Sequence, residues 1–368
     1  MTSEGQQETG LTVAVLLPCH DEADFLPPLL DALVPQLELA EGWQLIAVND
    51  SSSDATGEIL DRAAAASPKV SVIHGAFGSP GAARTAAAAS VTVLGHGPVP
   101  DWLLTTDCDV ELPPDFVGGW LHRFAQVHDH DHIGALNGGE EQGHLFDGLP
   151  NAHRASTVFG MAANRAEAAV GLVNLNGVNH AVRTSAYLTA GPYVQPSVLG
   201  PAGVVNLAGE DWDLGVRLRQ AGYEIAECGV SVRDRGRRLL ADVLAYLSGE
   251  AYEGVFARVH ADGPPTDLDA ETASGLAEAT IERVLTHFFF KVVLACPAVL
   301  DETTAVSDET VVAMRAWIER WPTPTFAASR NGFVYGRLPR FAATFMADVR
   351  RQLGLSSRAV SDPTSLEG

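Results

Sequence analysis

The sequence predicts an α/β fold, a mostly parallel, Rossmann-like sheet flanked by helices, with a helical C-terminal region after it. Three observations carry this. Short apolar runs rich in β-branched residues recur through the first third of the chain, and each is followed by a stretch with helical spacing. The polar clusters fall where the apolar runs end. Ligands of such sheets bind beyond the carboxyl ends of the strands, so those clusters mark the expected site.

Leu11 to Pro18 (LTVAVLLP) has the form of a strand buried on both faces. Phe25 to Leu39 carries leucines at helical spacing, Gln44 to Val48 is a second apolar run, and Asp54 to Ala66 reads as a helix with Ser53 or Asp54 as its N-cap. A strand at Val70 to His74, an Ala-rich helix at Ala82 to Val93 and a strand at Trp102 to Thr106 continue the alternation. The His-, Gly- and acid-rich segment from Val127 to Asn151 reads as a hydrophilic loop over or beside the site; its histidines match no metal-ligand spacing. After Asp242 the strand signal fades, and Leu244 to His260, Glu271 to Val293, Thr310 to Arg320 and Phe341 to Leu353 look helical. The expected division is a flexible N-terminus over 1–10, an α/β domain over 11–242, a helical region over 243–355 and a frayed tail over 356–368.

Among 368 residues the formal charge is −22, and of 24 basic residues only Lys69 and Lys291 are lysines. A broad basic surface for nucleic acid or anionic lipid is therefore excluded, and an anionic substrate has to be met by local arginines or a metal. Cys19, Cys108, Cys228 and Cys296 are scattered, without a zinc spacing, which fits reduced thiols in a cytoplasm. Met1 to Gly10 lacks the character of a signal peptide, and the longest apolar stretch, Phe288 to Leu300, is too short and interrupted to span a bilayer.

Four clusters bear chemistry. Pro18-Cys-His20-Asp-Glu22 follows the first strand, and Asn49-Asp50-Ser-Ser-Ser-Asp54 follows the second and opens a helix, where free backbone N–H groups suit a polar ligand. Asp107-Cys108-Asp109 follows the strand at Trp102. In an extended segment, residues two apart point the same way, so both carboxylates are expected to project together, and such a pair of hard oxygen ligands selects Mg²⁺ or Mn²⁺. Cys108 reads as a spacer whose thiolate is suppressed by the flanking carboxylates. Glu210-Asp211-Trp212-Asp213 opens a helix; one acid there suits a general base and the Trp an apolar wall, against the plainer roles of capping and core packing.

In this order the clusters resemble glycosyltransferase family 2, the inverting enzymes of the GT-A fold. The family's turn after strand one appears as Pro18 to Glu22, and its D-D-G-S-x-D turn as Asn49 to Asp54. Its A-R-N box appears as Ala83-Arg84-Thr85, its D-x-D as Asp107 to Asp109, its G-x-N-x-A-x-R as Gly177 to Arg183, and its E-D-x-D-L as Glu210 to Leu214, continued by Arg217 and Gly222-Tyr223. The resemblance covers about residues 11 to 235. It implies a nucleotide-sugar donor, UDP-linked in preference to GDP-linked, with His20 and Asp50 near the base and Pro18 and Glu22 in the same turn. It further implies Arg84 and Asp107 toward the ribose and diphosphate, Asp109 on the metal with Asp107 sharing it, and Gly177, Asn179 and Trp212 around the sugar. Asp211, or else Glu210, would be the base.

Three positions depart from the pattern: Asn49 stands for an acid, Ser51 for a glycine and Thr85 for an asparagine. The run Arg233, Arg235, Arg237, Arg238 reads either as a phosphate clamp or as a turn paired with local acids. A retaining synthase acting on a small phosphorylated acceptor, and a sugar-nucleotide-binding domain without turnover, remain as alternatives. A nucleotidyltransferase is disfavoured, because the Gly-rich, lysine-bearing phosphate loop expected after strand one is absent.

Overall fold

The computed structural model describes residues 10–95, 98–142, 149–151, 175–194, 197–200, 203–206, 209–235, 267 and 269–272. The chain forms two compact units. One comprises Met1–Gly143, Val173–Pro196 and Gly209–Arg235; the other comprises His144–Leu172, Ser197–Ala208 and Gly236–Gly368. The four expected C-terminal helices, the tail, Cys296, Arg237 and Arg238 lie outside the described residues, save for isolated positions at 267 and 269–272.

The first unit alternates as expected: β1 (Val13–Cys19), α1 (Leu26–Leu39), β2 (Trp43–Asp50), α2 (Thr56–Ala66), β3 (Val70–Gly75), α3 (Pro80–Thr92) and β4 (Trp102–Thr106). It continues with β5 (Val110–Glu111), α4 (Phe116–Gln126), β6 (Ile133–Gln142), β7 (Asn179–Arg183) and α5 (Thr184–Ala190). In the second unit β8 (Ser197–Gly200) and β9 (Gly203–Asn206) form an antiparallel hairpin. The first unit ends with α6 (Glu210–Gln220) and β10 (Glu224–Asp234).

The eight-stranded sheet runs β3-β2-β1-β4-β7-β6-β10-β5. From β3 to β4 the pairs are parallel, and β7 runs antiparallel to both β4 and β6. Thr106, at the end of β4, therefore faces Asn179, at the start of β7. That single reversal brings the G-x-N box to the same sheet edge as the first three clusters.

β1 is buried on both sides, which its unbroken apolar run demands. Val13, Val15 and Leu17 join Trp43, Trp102, Trp120, Phe124 and the α1 leucines in one core layer, while Ala14 and Leu16 join Ala83, Ala87, Leu103, Leu214 and Leu218 in the other. Trp102 stacks on Phe124 with centroids 4.7 Å apart, so α4 anchors the first layer through aromatic rings. Among the described residues no helix is long and apolar enough to cross a membrane.

Two expectations are corrected. The 127–151 segment is not a loop throughout: Ile133 to Gln142 is β6, an interior strand paired with β7 and β10. Its glycines, which read as breakers, are sites of close approach. A Cβ on Gly134 would lie 2.6 Å from the Tyr223 Cβ, and one on Gly138 would strike the Asn179 amide and come within 2.7 Å of its backbone oxygen. The second correction is at α2, which starts at Thr56 with Ala55 as N-cap; Asp54, one residue before that cap, accepts a hydrogen bond from the Thr56 N–H at 2.9 Å.

Gly138→Ala is expected to destabilise by about 1–3 kcal/mol through overpacking. Gly118, exposed in α4 with nothing within 4 Å of a built Cβ, is the opposite case, and Gly118→Ala should stabilise by about 0.5–1 kcal/mol. Urea unfolding midpoints of the two variants check both signs.

Candidate active site

The loops after β1 and β2 are laced together. The Asp21 carboxylate accepts from the backbone N–H groups of Ser53 (2.6 Å) and Asp54 (3.3 Å), and the Asp54 carboxylate accepts from Ala23 N–H at 3.0 Å. Glu22 N–H donates to Thr56 Oγ1 at 2.7 Å, and the Glu22 side chain is buried. Asp21 and Ser51 sit at φ +54° and +53°, so Ser51 occupies the left-handed conformation for which the family pattern has glycine. The cost, about 1–2 kcal/mol, is offset in part by the Ser51 hydroxyl donating to the Gly75 carbonyl at 3.1 Å.

His20 is exposed, and its Nδ1 lies 2.6 Å from the Asp50 carbonyl oxygen. A carbonyl only accepts, so Nδ1 carries a proton, and Nε2 lies 4.0 Å from the Asp21 carboxylate. Asp50 is buried and accepts from the Phe77 and Gly78 N–H groups at 2.5 and 3.0 Å, which fixes the β3–α3 loop. Asn49 explains its own departure from an acid. Its amide nitrogen meets His74 Nδ1 at 3.1 Å, and His74 Nε2 meets Asp61 at 2.9 Å, so the His74 proton belongs to Asp61 and Asn49 supplies the donor that an aspartate lacks.

Arg84, on α3, is the hub of the site at 2% exposure. Its Nη2 reaches Asp107 Oδ1 at 2.5 Å and the Gly177 carbonyl at 3.0 Å, its Nε donates to Thr105 Oγ1 at 3.0 Å, and its Nη1 pairs with Glu210. Burial alone would lower the guanidinium's pKa; Asp107 and Glu210 together more than reverse this and hold it firmly charged. Three of the sequence motifs, at Asp107, Gly177 and Glu210, thus converge on one side chain.

The D-x-D segment is not extended. β4 stops at Thr106, and 107–109 form a turn before β5. The alternation rule therefore does not apply to Asp107 and Asp109. Asp107 turns to Arg84, the Asp109 carbonyl accepts from Arg235 N–H at 3.1 Å, and Cys108 faces inward at 2% exposure. Cys108 is indeed a buried spacer, but its thiol is pushed up first by burial and next by its contact with Cys19, with Asp107 a lesser cause. Asp107 and Asp109 offer hard oxygens to a divalent cation. Among the described residues no group of three or more His, Cys, Asp or Glu could hold a metal by itself, so such an ion would need substrate oxygens to complete its shell.

Glu210 and Asp211 occupy the first turn of α6, where the helix N-terminus favours acids. Glu210 is committed to Arg84. Asp211 makes no hydrogen bond or ion pair among the described residues, and its carboxylate lies against Gly177, 3.2 Å from where a Cβ would stand. Trp212 is buried. Asn179 is fully buried, its amide nitrogen donating to the Gly139 and Val230 carbonyls at 3.1 and 2.9 Å, so it knits β6 to β10 rather than standing open at the edge. Its Oδ1 and the Thr106 hydroxyl opposite are buried without a hydrogen-bond partner among the described residues. Arg233, on β10, and Arg235, just after it, lie 3.9 Å from Glu141 and Glu111, so these two pair with local acids from a strand end and not from a turn.

His180 and Tyr193 carried no signal as site residues; the only hint was a polar residue inside an apolar strand. His180 Nδ1 donates to the Asn176 carbonyl at 2.7 Å, and Nε2 accepts from the Tyr193 hydroxyl at 3.0 Å. This pins the turn that presents the Gly177 carbonyl to Arg84. Burial, with a smaller push from Arg84, lowers His180 to about 3. The folded state thus resists a proton that the unfolded chain takes up below about 6.5. Stability is complete above that pH and falls as pH drops from 6.5 toward 3, by about 1.4 kcal/mol per unit at most. His180→Phe should cost about 1–3 kcal/mol at neutral pH, by leaving the Asn176 carbonyl and Tyr193 hydroxyl unpaired, yet flatten the acid limb. Urea unfolding at several pH values reads both effects.

A sheet of this order gathers an arginine hub and carboxylates near the carboxyl ends of its parallel strands. Residues 14–145 match the model of Glycosyl transferase family 2. No curated protein matches the chain. Among solved structures it is similar to glucosyl-3-phosphoglycerate synthase from Mycobacterium tuberculosis in complex with Mn²⁺, UDP and phosphoglyceric acid, at 16% identity, covering 65% of this chain and 79% of that one, TM-score 0.41. It is also similar to a mannosyltransferase from Pyrobaculum calidifontis in complex with GDP-Man and Mn²⁺, at 13% identity, covering 91% and 86%, TM-score 0.43.

Proposed function

We propose that the protein is a glycosyltransferase that moves a sugar from a nucleotide-sugar donor, UDP-linked in preference to GDP-linked, to a hydroxyl acceptor by direct displacement with inversion, Asp211 acting as base. The observation that carries this is the division of labour at the start of α6. Glu210 is spent on Arg84, whereas Asp211 keeps its carboxylate clear of hydrogen bonds and ion pairs among the described residues, beside Gly177. A base has to be within reach of the acceptor hydroxyl and not neutralised by a permanent partner.

In this reading His20 and Asp50, with Pro18 and Glu22 behind them, shape the base-binding turn. Arg84 sets the Asp107 turn and, with it, the diphosphate end. Asp109, with Asp107 beside it, would hold Mg²⁺ or Mn²⁺, which when bound offsets the charge of the leaving diphosphate. Gly177 leaves room for the sugar against Asp211, Trp212 backs that turn from the interior, and Asn179 fixes the strand start. Free Cys19, Cys108 and Cys228 support a reducing, cytoplasmic setting.

With Mn²⁺ and a panel of UDP-, GDP- and dTDP-sugars, the purified chain is expected to release nucleoside diphosphate from one of them, and NMR of the product should show the inverted anomer. No release from any donor, with or without sugar acceptors, would remove the reading; retained configuration would remove Asp211 as base.

A further inference from the structure

We propose that Cys19 and Cys108 form a peroxide-oxidisable dithiol that closes to a disulfide beneath the Asp107-Asp109 turn. The two sulfurs are 3.2 Å apart, and each residue is 2% exposed. Their placement follows from the sheet. β1 and β4 are parallel neighbours with Leu16 opposite Thr105; three residues on, Cys19 ends β1 and Cys108 stands in the turn just beyond the end of β4. Adjacent strands lie about 4.7–4.9 Å apart, so the two chains leave the paired part of the sheet side by side, and the S···S contact shows that the turn keeps them close. Bonding requires the sulfurs to approach by about 1 Å, to the usual length of about 2.05 Å.

The contacts give the two thiols different parts. Cys108 Sγ lies 3.4 Å from the Pro18 carbonyl and 3.2 Å from Cys19 Sγ, while Cys19 Sγ lies 3.5 Å from the Leu17 carbonyl. Cys108 Sγ donates in the S···S contact and Cys19 Sγ accepts, which places Cys19 as the attacking sulfur, reacting once deprotonated. The Cys19 thiolate attacks one oxygen of hydrogen peroxide; the O–O bond breaks, an S–O bond forms, and the departing hydroxide takes a proton to leave as water. Cys108 sulfur then attacks the Cys19 sulfenic sulfur, the S–S bond forms, the S–O bond breaks, and the hydroxyl leaves with the Cys108 proton as a second water. Two thiols and one peroxide give one disulfide and two waters. So small an oxidant suits a pair this buried.

Cys108 lies between Asp107 and Asp109, and Cys19 precedes His20, so the bond would draw the expected metal turn toward the base-binding turn. On the functional reading above, a displacement near 1 Å lowers turnover by about 100-fold. The test treats the purified full chain with hydrogen peroxide, blocks remaining thiols with iodoacetamide under denaturing conditions, and maps the digest by mass spectrometry. The expected result is a joined peptide holding Cys19 and Cys108, lighter by two hydrogens and opened by dithiothreitol, with Cys228 still alkylated. Cys19 and Cys108 both alkylated, or either carried to sulfinic acid without joining, would overturn the proposal. The mapping needs no activity, so it stands or falls apart from the transferase reading. Where the reduced protein turns over donor, unchanged turnover after the bond has formed would overturn the link to the site.

Discussion

Arg84→Ala is expected to cost about 3–5 kcal/mol and to abolish turnover, because it removes one member of a buried charge cluster and leaves the others uncompensated. Asp107 and Glu210, 29% and 14% exposed, lose their shared cation, and Thr105 Oγ1 and the Gly177 carbonyl lose a donor. In a domain of this size the melting temperature should fall on the order of 10 °C. Arg84→Lys separates charge from geometry. An ammonium restores the positive charge but lacks the planar fork that spans Asp107, Glu210 and Gly177 at once. Lysine should therefore recover part of the melting temperature and little of the turnover. If alanine melts with the native chain in a thermal scan, Arg84 is not the hub the geometry describes.

The same side chain shows how far the sequence could be read. Arg84, Asp107, Gly177 and Glu210 lie up to 126 positions apart; Asp107 and Glu210 fall at the end of an apolar run and the start of a helix, where the strand–helix alternation located them, whereas Arg84 and Gly177 were marked only by the resemblance to glycosyltransferase family 2. That Arg84 gathers all of them did not follow, because no local pattern records which charge meets which across a sheet. The parallel strands β1 to β4 were legible because burial on both faces leaves an unbroken apolar run. β6 was not. Its Gly138 and Gly139 pack directly on Asn179 and Ser231, and close tertiary approach writes the same glycines that a loop does. α4 went unread although Phe116, Trp120 and Phe124 recur four apart on its buried face. The turn at 107–109 was misjudged for the converse reason: the strand signal before it is strong, and nothing in Asp-Cys-Asp announces that β4 has ended. Asp50 and Asn179 stand at the expected edge, but their side chains are engaged in holding backbone, a role that residue type alone does not separate from ligand contact.

Asp211→Asn is the second large effect, and it differs from the first in kind. Asparagine has nearly the same shape, so it fits the space beside Gly177 and Gly209, and no ion pair among the described residues is broken. Folding stability should change by less than about 0.5 kcal/mol. Turnover should drop by about 10²–10⁴-fold, the usual worth of a placed base, while donor affinity measured by calorimetry stays near the native value. Glu210→Gln supplies the contrast. It weakens the Arg84 cluster, so it should lower melting temperature and turnover together. A base and a structural acid, adjacent in sequence, are thus separable by which observable moves. If Asp211→Asn loses stability as Glu210→Gln does, or keeps its turnover, the proton is taken elsewhere and the assignment at the start of α6 has to be reversed.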